Sequence, residues 1–309
     1  MVNKWIHDKN TNFEVQKLVI DMLRVPSAIH PHEFELLKIQ ELTFVAYRSD
    51  VYPSKSEIFF EEHAVIYVLE GEKRFSSPTQ EFLIRKGDVF FVRRGYFLMS
   101  ESIHESYKSL VFFFDEKLIK EFVSQNIELF TFPHSKVDTS LNGEVFPTDE
   151  KFAKFVESIF PYFRSNTKYI NQFLKLKLQE LLLHLLETDQ SDALKNLLFT
   201  IYTGQKTELT YLMNNYFLKP LSIDELAHIS GRSLSTFKRD FQAEFGESPA
   251  HWIKQKRLQH AAFLLKNSSK NIAEISLEIG YESTSHFIKA FKAAFEVTPH
   301  QFQLLKNAQ

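Results

Sequence analysis

The feature that most constrains this chain is a pattern written twice in its last hundred or so residues, from about Thr207 to Gln309. The first copy, Ile223 to Pro249, reads IDELAHISGRSLSTFKRDFQAEFGESP, and the second, Ile272 to Pro299, reads IAEISLEIGYESTSHFIKAFKAAFEVTP. Phe237, Phe241, Phe245 and Pro249 recur fifty positions later as Phe287, Phe291, Phe295 and Pro299, while Ile223 and Ile272 are forty-nine apart. The second copy therefore carries one extra residue in its turn.

Each copy predicts two helices joined by a tight turn. Ile223, Leu226, Ala227 and Ile229 lie at helical spacing, and Ser222 with Glu225 three residues on makes a capping box. Gly231 permits the positive φ of a helix exit. The Phe triplet at i, i+4 and i+8 predicts a second helix, whose other face carries Arg232, Ser235, Thr236, Lys238 and Arg239. In the second copy Ile272, Ile275 and Ile279 precede Gly280, and Ser283, Thr284, Ser285, His286, Lys289 and Lys292 lie opposite the triplet. A short helix, a Gly turn and a helix with a polar, partly basic face make a helix-turn-helix, whose second helix enters the DNA major groove. Two helical hairpins packed on each other is the plainer alternative. Ser248 and Pro249 start a helix reaching about Lys266, a rod of roughly 27 Å. Such a rod can hold two recognition helices near one turn of B-DNA, about 34 Å, apart.

With these residues in view, LSIDELAHISGRSLSTFKRDFQAEFG, SPAHWIKQKRLQHAAFLLKN and the second copy together resemble the AraC/XylS family of bacterial transcription regulators. The second copy carries most of the resemblance, through Ile272, Ala273, Ile275, Gly280, Ser285, Phe287, Phe291, Lys292, Phe295, Thr298 and Pro299. Arg257, Ala261, Leu264 and Leu265 match the helix between the copies. Glu296 stands where Gly is usual before V-T-P, and Ser276 where Ala is usual. A non-Gly residue at a positive-φ helix end costs only about 1 kcal/mol.

The 309 residues allow two domains, and 44% hydrophobic with 25% charged residues is ordinary for a soluble protein. Met1 to Asn10 lacks a hydrophobic signal core and no apolar run is long enough to span a membrane, which predicts a cytoplasmic protein. The absence of cysteine excludes disulfides, thiolate zinc sites and cysteine catalysis. From residue 207 on there are 12 Lys plus Arg against 10 Asp plus Glu, or +2, which leaves −4 for residues 1–206 of the total −2. DNA affinity would thus come from local placement of Lys238, Arg239, Lys289 and Lys292.

Earlier in the chain, LTFVAY, AVIYVLEGEKRFSS, QEFLIRKGDVFFVRRGYFLMSES and ESYKSLVFFFD predict short strands separated by turns, as in a small barrel or sandwich. YVLEGE and GDVFFVRRG resemble the cupin-like sensor domain of many AraC-type regulators, and YVLEGE and FVRRG also resemble type III secretion regulators of the family. His30 and His32 have the H-x-H spacing of metal cupins but precede the strands, while His63 and His104 stand alone, so no metal and no other cofactor is expected. Of 32 Phe residues, many fall in this block. Phe75, Phe82, Phe91, Phe112 and Phe114, with Arg93, are the candidate ligand pocket; a plain aromatic core is the alternative. Glu116 to Phe122 and Glu150 to Phe163 read as helical. Ile170 to Glu187 carries Leu174, Leu178, Leu181, Leu182 and Leu185 on a stripe that is either core or, as the family resemblance implies, a dimer seam.

The expected fold is α+β with two domains. A cupin-like sensor barrel occupies 1–145, a helical dimerisation segment 146–203, and an all-α double helix-turn-helix domain 204–309. The expected function is a sequence-specific DNA-binding transcription regulator, an activator, with double-stranded DNA, a second copy of itself and RNA polymerase as partners. Its effector is a small molecule or, alternatively, an inhibitory or activating protein. A cupin-type enzyme with an accessory DNA-binding tail is disfavoured, because no paired carboxylates, nucleophile with base, or metal cluster emerges.

Overall fold

A computed structural model describes residues 22–30, 34–39, 42–49, 56–101, 106–130, 142–164 and 167–304. His32 and His104 lie outside them. The strands are β1 (Leu23–Val25), β2 (Glu35–Ile39), β3 (Leu42–Ser49), β4 (Ser56–Phe60), β5 (His63–Glu70), β6 (Glu72–Ser76), β7 (Glu81–Arg85), β8 (Asp88–Val92), β9 (Gly95–Glu101), β10 (Tyr107–Phe114) and β11 (Gly143–Pro147). They form a five-stranded sheet, β1-β4-β9-β6-β7, and a six-stranded sheet, β11-β8-β5-β10-β3-β2. The two sheets do not close into the expected cupin-like barrel.

Alternation along the strands explains the layering. In β10, Tyr107, Val111 and Phe113 point into a core shared with Phe60, Phe75 and Phe97 of the other sheet. Leu110, Phe112 and Phe114 point the opposite way. There they meet helices α1 (Glu116–Gln125), α2 (Glu150–Glu157), α4 (Ile170–Thr188) and α5 (Ala193–Thr203). Phe112 sits opposite Val65 of β5 and Phe44 of β3, with the Phe44 and Phe112 rings edge-on at 4.8 Å. Gly71 turns β5 into β6 at φ +79°, where a Cβ would come within 2.6 Å of the Ser106 carbonyl oxygen.

Two helix expectations need correction. Glu150 to Phe163 is not one helix, because α2 ends at Glu157 and α3 (Phe160–Phe163) starts afresh around Pro161. Proline lacks the N–H that would continue the ladder. Leu174, Leu178, Leu181, Leu182 and Leu185 are each 3% exposed or less and pack into the core beneath the sheet, so they are not a surface that a second copy can reach.

The remaining helices are α6 (Leu209–Tyr216), α7 (Ile223–Ile229), α8 (Leu234–Phe245), α9 (Pro249–Asn267), α10 (Ile272–Glu278), α11 (Thr284–Phe295) and α12 (Pro299–Leu304). The Ser222–Glu225 capping box forms, and Asn271 with Glu274 repeats it in the second copy. Glu296 ends α11 at φ +65°, where Gly246 ends α8 at +74°. No helix among the described residues is long and apolar enough to cross a membrane.

The β part is seated on the first copy. Met22, Phe59 and Tyr96 share a core with Leu209, Met213, Leu226 and Phe237. Around it Arg24 pairs with Glu225 at 2.7 Å, His228 Nε2 lies 3.0 Å from the Glu61 carbonyl oxygen, and Arg94 pairs with Glu116 at 2.6 Å. Of these, Glu61, Arg94, Glu116 and His228 line a cavity of about 340 Å³ together with Glu62, His63 and Asp115. Burial, then Asp115 and Glu61, push the Glu62 carboxyl up to about 7 against the opposing pull of Lys38. An acid that titrates higher folded than unfolded loses stability as pH rises from its ordinary value through its folded one. Glu62→Gln should therefore melt with the wild type at and below pH 4.5, increasingly above it as pH rises toward about 7, and by a constant margin beyond, as followed by circular dichroism.

Candidate nucleic-acid interface

The second helices of the two copies, α8 and α11, are built alike. Ser233 caps α8 by accepting from the Thr236 N–H, and Ser283 caps α11 by accepting from the His286 N–H. On the inner face Phe237 and Phe241 are buried, with Phe245 stacked 4.4 Å from Phe241; Phe287, Phe291 and Phe295 repeat this at 4.5 Å. The outer face of α8 leaves Ser235, Lys238, Arg239 and Gln242 exposed, and that of α11 leaves Ser285, His286, Lys289 and Lys292 exposed. Ser235 matches Ser285, Arg239 matches Lys289, and Gln242 matches Lys292 at the offset of fifty. Gln242 escaped the sequence reading because it is uncharged, although the offset pointed to it.

Other candidates have structural work. Arg232 is only 10% exposed; its Nε donates to Asp240 at 3.1 Å and its Nη1 to the Thr207 carbonyl at 2.7 Å. It ties the turn together and is not presented to a partner, whereas Arg239 is 75% exposed. Asp240 takes Arg232, Arg239 and Lys206 together, and the hydrogen bond from Arg232 is the main cause holding its carboxyl below the usual range. Ser283 serves as the cap of α11, and the Thr236 hydroxyl is engaged by Ser233 at 2.9 Å. Thr284 is half-buried.

The candidate pocket residues do not converge. Phe75 and Phe82 lie between the sheets, whereas Phe91, Phe112 and Phe114 lie beneath the helices, because neighbouring positions on a strand face opposite ways. Arg93 is buried at the seam and donates to Thr207 Oγ1 at 3.3 Å. The space between the sheets is a cavity of about 190 Å³ bordered by Val25, Tyr47, Phe60, Lys73, Phe75 and Val111 among others. Lys73 is buried there, its Nζ 4.0 Å from the Tyr107 ring centroid. Among the described residues no three His, Cys, Asp or Glu gather as a metal set.

Residues 63–197 match the family model described as the ExsA N-terminal regulatory domain, and residues 226–304 match that of a helix-turn-helix domain. The chain thus combines an ExsA-type N-terminal regulatory domain with an AraC-family helix-turn-helix domain. Among curated relatives it is 26% identical to the transcriptional regulator ExsA of Pseudomonas aeruginosa, covering 77% of this chain and 84% of that one. It is 23% identical to the virulence regulon transcriptional activator VirF of Yersinia enterocolitica, over 78% and 89%. Apo ToxT of Vibrio cholerae is similar in structure with a TM-score of 0.39 at 12% identity, over 85% of this chain and 97% of that one. The chain is a transcription regulator with a helix-turn-helix DNA-binding domain, not an enzyme.

Arg239→Ala should weaken binding to a duplex enriched from a random pool by about 1–3 kcal/mol at fixed salt. Arg232→Ala should instead lower the melting temperature, because it deprives the carbonyl of the buried Thr207 of a donor and unties the turn from Asp240. Unchanged affinity of Arg239→Ala in a filter-binding titration would place this face away from DNA.

Proposed function

We propose that this AraC-family protein is a sequence-specific transcription activator that reads DNA with α8 and α11 and is controlled through its β part. The observation that carries the reading is the paired exposure of Ser235, Arg239 and Gln242 on one helix and Ser285, Lys289 and Lys292 at the same positions of the other. Arg and Lys in such places suit guanine edges and phosphates. An activating role accords with the relative VirF, a transcriptional activator. If Lys238, Arg239, Lys289 and Lys292 each neutralise a phosphate, the logarithm of affinity should fall against the logarithm of salt with a slope of about −3 to −4. A slope near zero in anisotropy titrations of a selected duplex would refute the reading.

For the effector, the cavity of about 190 Å³ favours a small molecule of modest size, since drug-sized ligands occupy about 300–1,000 Å³. Its polar end would meet Lys73 or Ser109, and its body Phe60, Phe75 and Val111. Control by a protein partner is the second reading, favoured by the tight filling of the inner aromatic core around Phe91, Phe112 and Phe114.

Dimerisation, on this proposal, uses the far side of α4. Phe173 (41%), Leu176 (59%) and Leu183 (43%) are exposed there, and their spacing of three and seven puts them on one stripe opposite the buried leucines. Tyr169 extends the stripe beyond the start of the helix. A self-complementary apolar stripe suits two-fold pairing. Leu176→Glu with Leu183→Glu should stay folded and sediment as a monomer. Leu178→Glu with Leu182→Glu should unfold, since an unpaired buried carboxylate costs several kcal/mol. A folded dimer of the first variant would rule out this seam.

A further inference from the structure

Helix α9 carries both helix-turn-helix cores on one rod. Trp252 and Ile253 belong to the first core, with Phe237 and Phe241, while Leu258, Ala261 and Leu265 belong to the second, with Ile275, Phe287 and Phe291. Between Ile253 and Leu258 lies one turn that contributes no side chain to either core. Arg257 sits in that turn and reaches across it. Its Nε donates to the Phe217 carbonyl at 2.7 Å, its Nη2 to the Lys219 carbonyl at 2.9 Å, and its Nη1 to the Gly280 carbonyl at 3.4 Å.

The three acceptors lie in two places, the segment after α6 and the turn before α11. Phe217 and Lys219 follow the end of α6, where the last carbonyls of a helix lack partners of their own. Phe217 packs into the first core and its neighbour Leu218 into the second. Gly280 is the turn between α10 and α11; its φ is +78°, and a Cβ there would come within 2.8 Å of Arg257 Nη1. Glycine at that turn thus serves the close approach of the guanidinium as well as the backbone conformation. A planar fork of charged donors can hold three carbonyls at fixed angles, which an ammonium on a flexible stem cannot.

We propose that Arg257 is a positioning residue that fixes the mutual orientation of α8 and α11, so that the two copies engage DNA as one bipartite site and not as two independent modules. The DNA consequence rests on the function proposed above, whereas the orientation claim does not.

The chain has no cysteine, so Ala243→Cys and Ala293→Cys, equivalent exposed positions on α8 and α11, can carry spin labels without background. Without DNA, the full-length chain should give one narrow distance distribution by pulsed electron resonance. Arg257→Met and Arg257→Gln should broaden it, and Arg257→Lys should not restore the narrow form. On a duplex selected from a random pool by the wild type, Arg257→Met should lose about tenfold or more in affinity, as expected when linked modules lose their fixed geometry. On the same duplex with either half scrambled the loss should be less than about twofold, and insertion of one base pair between halves should penalise the wild type more than the variant. Unchanged width in both the Met and Gln variants overturns the proposal, and so does an equal loss on intact and half duplexes. If the wild type selects no sequence, the DNA reading fails by itself, and the distance widths still decide whether Arg257 sets the orientation. Circular dichroism identifies a variant that fails to fold, in which case the distance width of the other variant decides.

Discussion

Burial of both faces of the six-stranded sheet is the constraint on which the N-terminal part depends. An antiparallel sheet commonly keeps one face wet, but here Val111 and Phe113 fill the space between the sheets while Phe112 and Phe114 anchor the helices. Truncating a buried Phe costs about 3–5 kcal/mol, so each of these rings matters to two layers at once. The helices have no sheet-independent core of their own, since α1, α4 and α5 are gathered around the same outer face.

The C-terminal part was largely legible in the sequence because its signals were redundant. Capping at Ser222, a positive-φ glycine at 231 and 280, and Phe at every fourth position all pointed to the same elements. Missing were α6 and α12, each short, and the second capping box at Asn271. The β part was less legible because strands apolar on both faces lose the alternation that tells inside from outside. For that reason Phe75 and Phe112 looked like walls of one pocket although they line opposite sides of a sheet. The leucines of α4 failed differently. Periodicity shows that a helix has an apolar stripe, not what covers it, and the weaker stripe of Phe173, Leu176 and Leu183 was hidden behind the stronger one. Arg232 was misread because its turn partners, Asp240 and the Thr207 carbonyl, are set by tertiary structure.

The seam between the two parts makes the helix-turn-helix copies inequivalent. Met22, Phe59 and Tyr96 complete the core of the first copy, and among the described residues the second copy's core draws nothing from the sheets. A ligand or partner that favours one arrangement of the β part would therefore bear on α6 and α7 first. The ring of Tyr96 also lies under the Lys219 ammonium at 4.7 Å, beside the carbonyls held by Arg257.

The extra residue in the second turn gives the molecule a sense of direction. Four residues separate α7 from α8, and five separate α10 from α11, and the outer faces differ again, with Lys238 in the first copy where Ile288 stands in the second. One chain of this kind has no internal palindrome to offer. A duplex it recognises would have a left and a right, so reversing that segment would turn the whole regulator end for end and present its opposite flank to whatever is bound next along the DNA.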